Sequence, residues 1–171
     1  MAKFASENDI PFGYNLSAVF LILFELENVT KTMEHADYLF ANEDETDAFG
    51  KANGMEGASR VEIAKMMAKW KKSNPKRPRN VIITQGPLSV ILAKQILGSD
   101  EVEVQEFIVP KIPKEQIMDT NGAGDALVGG VVSQLYQGKT IEEAIKAGIY
   151  LSGEVVQRSG CSFPDTFVYG Q

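Results

Sequence analysis

Short apolar runs separated by polar and glycine-containing breaks set the first picture of this chain. Residues 10–16 read as a strand, 18–34 as a helix, and Asp37-Tyr38-Leu39-Phe40-Ala41 as a second strand. A helix is predicted to begin at the acidic cluster near residue 43, because carboxylates favour the positive end of the helix dipole. Over 59–72, Val61, Ile63, Ala64, Met67, Ala68 and Trp70 form an apolar stripe that Pro75 and Pro78 bring to a stop. Residues 79–86 read as a buried strand ending in a glycine turn. Further strands are expected at 88–93 and 102–109, with Gly98-Ser99-Asp100 turning between them. Two helices close the pattern, at about 123–137 and 140–157. The second carries Ile141, Ala144, Ile145, Gly148, Leu151, Ser152 and Val155 on one face. Thr140 and Glu143 have the spacing of a capping box at its start.

Strands alternating with helices imply an α/β layer with a mainly parallel sheet flanked by helices. Ligands in such sheets sit beyond the carboxyl ends of the strands. Asn42 follows one strand, Gly86 another, and the loop at Gly122 follows a short extended piece at 116–119. Three strand ends are therefore expected to converge on one ligand.

Bulk properties narrow the field. A chain of 171 residues is about one domain, and 44% hydrophobic with 23% charged residues is ordinary for a globular protein. A net charge of −6 argues against general nucleic-acid binding. The basic stretch at 69–79 holds two prolines between a helix and a strand, and reads as a solvated connection. One cysteine, Cys161, excludes an intrachain disulfide and suits a reducing compartment. No secretory signal is visible and no apolar run approaches a bilayer span, so the cytoplasm is the expected location, without membrane attachment. His35, the sole histidine, makes no metal site and is expected near a helix end. The run Ala18-Val19-Phe20-Leu21-Ile22-Leu23-Phe24 is apolar on every side. It should either pack inside something larger or form a surface patch.

The chemistry concentrates in Asp119-Thr120-Asn121-Gly122-Ala123-Gly124-Asp125, which leads directly into an apolar helical stretch. Small residues at 122–124 let backbone N–H groups face inward at a helix start, where the dipole favours an anion. Asp125 then lies in the first turn as a carboxylate beside that nest. A backbone anion hole next to an acid suits phosphoryl transfer to a hydroxyl, the nest holding charge and the acid taking the proton. The simpler reading is a tight turn before a core helix. Two commoner phosphate motifs are absent here. A G-x-G-x-x-G begun at Gly122 would need glycine where Leu127 stands, and a P-loop ending at Gly138-Lys139-Thr140 would need glycine at Ser133.

Residues 119–130 resemble the signature of the ribokinase-like carbohydrate and nucleoside kinases, and Asn121 resembles the adenosine kinase version. Three further segments agree: Asn15-Leu16-Ser17-Ala18, Asn42-Glu43-Asp44-Glu45, and Arg158-Ser159-Gly160-Cys161-Ser162-Phe163-Pro164. The likeness runs from near residue 4 to near residue 167. It departs from the family pattern at Val19, Ala41, Pro87 and Leu127.

The resemblance implies a ribokinase-like fold, a single partial domain over 1–171 that corresponds to the carboxy-terminal, nucleotide-binding half, and ATP and Mg2+ as cofactors. It implies that Asp125 is the general base for the 5′-hydroxyl of adenosine. Gly122, Ala123 and Gly124 are then the anion hole, with Asn121 beside it. Asn42 and Glu45 match the Asn-x-x-Glu element, which helps place magnesium through water; as residues alone they also read as a helix cap and a first-turn acid. Thr84 and Gly86 match a segment lining the ATP phosphates and ribose. Ala147 and Gly148 fall where adenine packs, although small residues at such a place also serve helix packing. Adenosine kinases are roughly twice this length, and their amino-terminal half carries the lid and the residues that grip the acceptor. Two functions follow. One is an adenosine kinase, active in purine salvage, whose active unit includes a second polypeptide supplying the absent half, or of which this sequence is a part; a second polypeptide or assembly is also a candidate to cover the helix at 18–26. The other is a kinase-derived binding or structural subunit that retains ATP without turnover.

Overall fold

The computed structural model of the chain describes residues 1–163 and Tyr169, so Pro164 and the end of the matched stretch lie outside it. The chain divides into two compact units, Met1–Glu106 and Phe107–Gln171. In the first, α1 (Ala2–Glu7), β1 (Gly13–Asn15), α2 (Val19–Phe24), α3 (Leu26–Met33), β2 (Tyr38–Ala41), α4 (Glu43–Ala52) and α5 (Arg60–Lys69) precede the strands β3 (Asn80–Thr84), β4 (Ser89–Gln95) and β5 (Val102–Ile108). The second holds a short 3-10 turn (Lys114–Gln116) and two long helices, α6 (Ala123–Tyr136) and α7 (Ile141–Val156).

The five strands form one mixed sheet in chain order, β1-β2-β3-β4-β5. β1, β2 and β3 run parallel, with Tyr14 opposite Leu39 and Phe40 opposite Ile82, whereas β4 pairs antiparallel to β3. The cause of the change is local. Residues 85–88 are too few for a crossover, so the chain turns back as a hairpin. β3 is buried along Asn80, Val81, Ile82 and Ile83, as its unbroken apolar run implied. Phe49, Ile63, Met67, Val81, Ile83 and Ile91 belong to the core that α4, α5 and the sheet share.

Some elements differ from the sequence reading. The expected helix over 18–34 is two helices, because the Glu25 backbone leaves helical geometry at φ −128, ψ 27. The Glu25 carboxylate accepts from Asn28 Nδ2 at 2.6 Å, and this side-chain bond anchors the first turn of α3. Helix α1 has no counterpart in the reading. The extended piece expected at 116–119 joins no strand; instead the N–H groups of Met118 and Asp119 both donate to Val156 O, tying it to the end of α7.

One buried cation organises the first unit. Arg79 is fully buried and donates to the carbonyls of Met33, Ala36, Met67, Trp70 and Lys71. These carbonyls close the ends of α3 and α5, groups that helix geometry leaves without partners. Burial pulls the guanidinium down to about 10, with Asp37 and Glu34 opposing the shift. In the second unit α6 and α7 cross at glycines. A Cβ on Gly130 would lie 2.7 Å from Gly148 Cα, and one on Gly148 would lie 2.7 Å from Leu127 O.

Candidate functional site

In the first unit, β2 delivers the chain to Asn42, the N-cap of α4. Asn42 Oδ1 accepts from Glu45 N at 2.8 Å, while Glu45 Oε2 accepts from Asn42 N at 3.0 Å, so the pair is a capping box. Glu45 Oε1 also accepts from Asn42 Nδ2 at 3.0 Å. Glu45 is only 4% exposed. Burial pushes its carboxyl up, the Asn42 backbone bond opposes this, and the neighbouring Asp44 and Glu43 add to the rise. Ala41 is in register with Ile83, so Asn42 and Thr84 are the next residues at the same end of two parallel strands. Gly86 follows at φ +54, where a Cβ would lie 3.5 Å from Glu43 Oε1. Asn42, Glu45, Thr84 and Gly86 thus gather at the carboxyl ends of β2 and β3, where the topology predicts a ligand.

In the second unit, the glycine bend has the geometry its composition implied. Gly122 takes φ +77, a region that side chains rarely adopt, and is the N-cap of α6. Asn121 N donates to Asp119 Oδ1 at 2.9 Å, and Ala123 N to Thr120 O at 3.3 Å, which closes the bend. No side chain caps α6, and the N–H groups of Gly124 and Asp125 have no acceptor among the described residues. Asp125 stands in the first turn, exposed. Uncapped amides and a free carboxylate at the positive end of a fourteen-residue helix can hold an anion and accept a proton.

Ala147 and Gly148 are both buried on α7, and Gly148 meets the backbone of α6 at Leu127. The helix-packing role of Gly148 is therefore visible directly. The residue the sequence reading undervalued is Cys161. A Cβ on Gly122 would lie 2.3 Å from its Sγ. The cysteine therefore closes over the position of the bend whose φ is positive. Sequence spacing carries no signal for this, because the two residues meet only through the return of α7. His35, expected only as a helix-end charge, has its Nδ1 2.8 Å from Ser6 Oγ and holds α1.

A second feature of the first unit is a surface hollow of about 590 Å3, lined in part by Asp47, Ser59, Arg60, Gln85, Ser89 and Glu106. Among the described residues no cluster of three or more histidine, cysteine, aspartate or glutamate side chains could hold a metal by itself. No described helix is long and apolar enough to cross a membrane.

A mixed α/β sheet with a capped Asn-x-x-Glu element at its strand ends, together with a glycine bend and acid opening a helix, fits the ribokinase-like fold. Residues 1–166 match the model of the pfkB family carbohydrate kinases, and the chain belongs to that family. Among relatives, adenosine kinase 1 of Arabidopsis thaliana is 40% identical, over 94% of this chain and 45% of its own length. Among solved structures, Anopheles gambiae adenosine kinase in complex with P1,P4-di(adenosine-5) tetraphosphate superposes with a TM-score of 0.87. It is 42% identical over 96% of this chain and 48% of its own. Schistosoma mansoni adenosine kinase in complex with 2-fluoroadenosine gives a TM-score of 0.88 at 32% identity, over 96% of this chain and 47% of its own. The chain spans about half the length of the curated relatives it matches.

Proposed function

We propose that this chain is the nucleotide half of an adenosine kinase, working in purine salvage, and that it transfers the γ-phosphoryl of ATP to the 5′-hydroxyl of adenosine when the remaining half is supplied. The observation that carries the reading is the bend at 122–124, with uncapped amides and Asp125 exposed beside them. In the reaction, Asp125 accepts the proton of the attacking hydroxyl, whose oxygen bonds to the γ-phosphorus. The bond to the bridging oxygen breaks and ADP departs. Amides of Gly122, Ala123 and Gly124 hold the charge on the moving group, with Asn121 ordering the approach.

In this reading Asn42, Glu45, Thr84 and Gly86 are the first unit's contacts to the nucleotide phosphates, and Ala147 and Gly148 are the second unit's contacts to adenine. The donors present fit a magnesium ion held chiefly by phosphates and water. Asn42 and Glu45 offer hard oxygens, and their capping box leaves lone pairs for bridging water. When bound, the ion neutralises phosphate charge.

A second reading, a binding or structural subunit without turnover, draws support from Phe20, Leu23 and Phe24. They are 61%, 63% and 80% exposed and leave an apolar face open to a partner. One experiment separates the two. Transfer of labelled phosphate from ATP to adenosine is measured for the chain alone and mixed with the complementary half of a full-length relative. Near-background turnover alone, restoration in the mixture and loss with Asp125→Ala support the kinase. MgATP binding without turnover in either condition supports the subunit.

A further inference from the structure

The turn between β3 and β4 is where the proposed phosphate grip meets the hollow in the first unit, and its side chains form a directed chain of hydrogen bonds. Arg60, in the first turn of α5, is held by Asp47 of α4 in a two-point ion pair, Nε to Oδ1 at 3.0 Å and Nη2 to Oδ2 at 2.8 Å. Its remaining arm, Nη1, donates to Gln85 Oε1 at 3.4 Å, the longest link. Gln85 Nε2 donates to Ser89 Oγ at 2.8 Å, and Ser89 Oγ donates to Glu106 Oε2 at 2.8 Å. Each group in this series has one sense. A guanidinium cannot accept, so the amide must present its oxygen to Arg60 and its nitrogen to Ser89. The hydroxyl, having accepted, gives its own proton to the carboxylate.

The backbone adds two bonds, Gln85 N to Ser89 O and Leu88 N to Gln85 O, both at 3.1 Å. Gly86 lies inside this frame at φ +54, with the Glu43 carboxylate of α4 near its bare Cα. The turn is therefore fixed by its backbone and by a relay spanning α4, α5, β4 and β5. The other hairpin glycine, Gly98 between β4 and β5, has nothing within 4 Å of the place of a Cβ. Amides that must meet a phosphate without rearranging need such bracing.

We infer that Arg60, Gln85 and Ser89 are positioning residues for the nucleotide, holding the 84–86 strand end in the shape that receives the phosphates of MgATP; this rests on the kinase reading above. None of the three needs to touch the ligand through its side chain. Asp47 neutralises the relay's cation at one end and Glu106 accepts the last proton at the other. The arrangement predicts that breaking the relay at either end has the same effect on binding.

The test uses the whole chain with Arg60→Met and Ser89→Ala, singly and together. MgATP affinity is measured by titration calorimetry, and amide exchange at Gln85 and Leu88 by NMR. Each single variant should weaken MgATP about tenfold, the order seen when outer-shell support of a bound metal is lost. Exchange at the two amides should rise, and the double variant should be little worse than either single one. Gln85→Glu keeps the acceptor for Arg60 but loses the donor to Ser89, so it should not restore affinity. A fall in melting temperature with unchanged MgATP affinity would show a purely structural relay and overturn the inference. Failure of the wild-type chain to bind MgATP at all would remove the kinase reading and this inference with it, whatever the exchange data show.

Discussion

Gly122 is the residue on which the proposed chemistry depends most, and two independent facts exclude a side chain there. Its φ of +77 costs any L-residue, and a Cβ would sit 2.3 Å from Cys161 Sγ. Gly122→Ala should therefore destabilise the fold by roughly 1–3 kcal/mol, read from the shift in urea midpoint. Cys161→Gly in that background should recover the steric part and leave the backbone strain. A full return to wild-type stability would contradict the strain argument. Asp9 supplies a pH prediction. Hydrogen bonds from Asn74, then Arg77 and Lys76, lower its carboxyl from 3.8 to about 2. The folded state therefore binds this proton less readily than the unfolded chain. The stabilisation is present above 3.8 and is lost as pH falls toward 2. Asp9→Asn should flatten the acid limb of the stability curve between those values, measured by thermal melts at stepped pH. The motif around these residues was legible because its chemistry is local, an acid and small residues in consecutive positions. Cys161 was legible only as a family marker, because its contact with Gly122 is made by chain return.

Element formation follows the sequence where the signal is periodic or a cap is present. Asn42 with Glu45, Ser59 with Glu62, and Thr140 with Glu143 are all capping boxes, and each starts its helix within a residue or two of the expected place. The apolar stripe of α5 buries Ile63, Ala64, Met67 and Ala68 as patterned. Agreement fails at Glu25, where the apolar run has ended but the residues on both sides remain compatible with one helix, so the sequence does not mark the break that the backbone makes. It also fails for α1, whose residues carry little periodicity. The α6–α7 crossing gives the prediction belonging here. Gly148→Ala forces a methyl to 2.7 Å from Leu127 O and should cost about 1–3 kcal/mol. Gly153→Ala on the same helix meets only Ile112 Cδ1 at 3.7 Å and should be neutral or gain up to about 1 kcal/mol from helix propensity. Equal losses at both positions, measured by denaturant unfolding, would show that glycine at the crossing is not sterically required.

Taken together, the chain combines a well-built core with an open apolar face. Arg79 and the cluster around Phe49 and Met67 are closed to water, yet Phe20, Leu23 and Phe24 of α2 are not. A contiguous apolar patch of this kind promotes association. The wild-type chain should show a concentration-dependent rise in mass by light scattering, and Phe20→Gln with Phe24→Gln should abolish it while leaving the melting temperature nearly unchanged. A large loss of stability in that variant would mean the two rings are buried after all. The all-round apolar character of this run was plain in the sequence. The coordinates show which side of the run faces outward, with Ile22 buried and Phe20, Leu23 and Phe24 exposed.

The amino-acid order by itself determined the α/β class, the caps of α4 and α7, the buried strands and the place of the glycine bend, because each is set by neighbours a few positions apart. Tertiary structure alone decided that α6 and α7 meet glycine to glycine, and that Arg79 closes two helix ends from the interior. It alone brought Cys161 over Gly122 and joined Asp47, Arg60, Gln85, Ser89 and Glu106 in one relay. The physical reason is common to all of these. They are contacts between residues far apart along the chain, and steric fit and hydrogen-bond direction between such residues exist only once the backbone has been brought together.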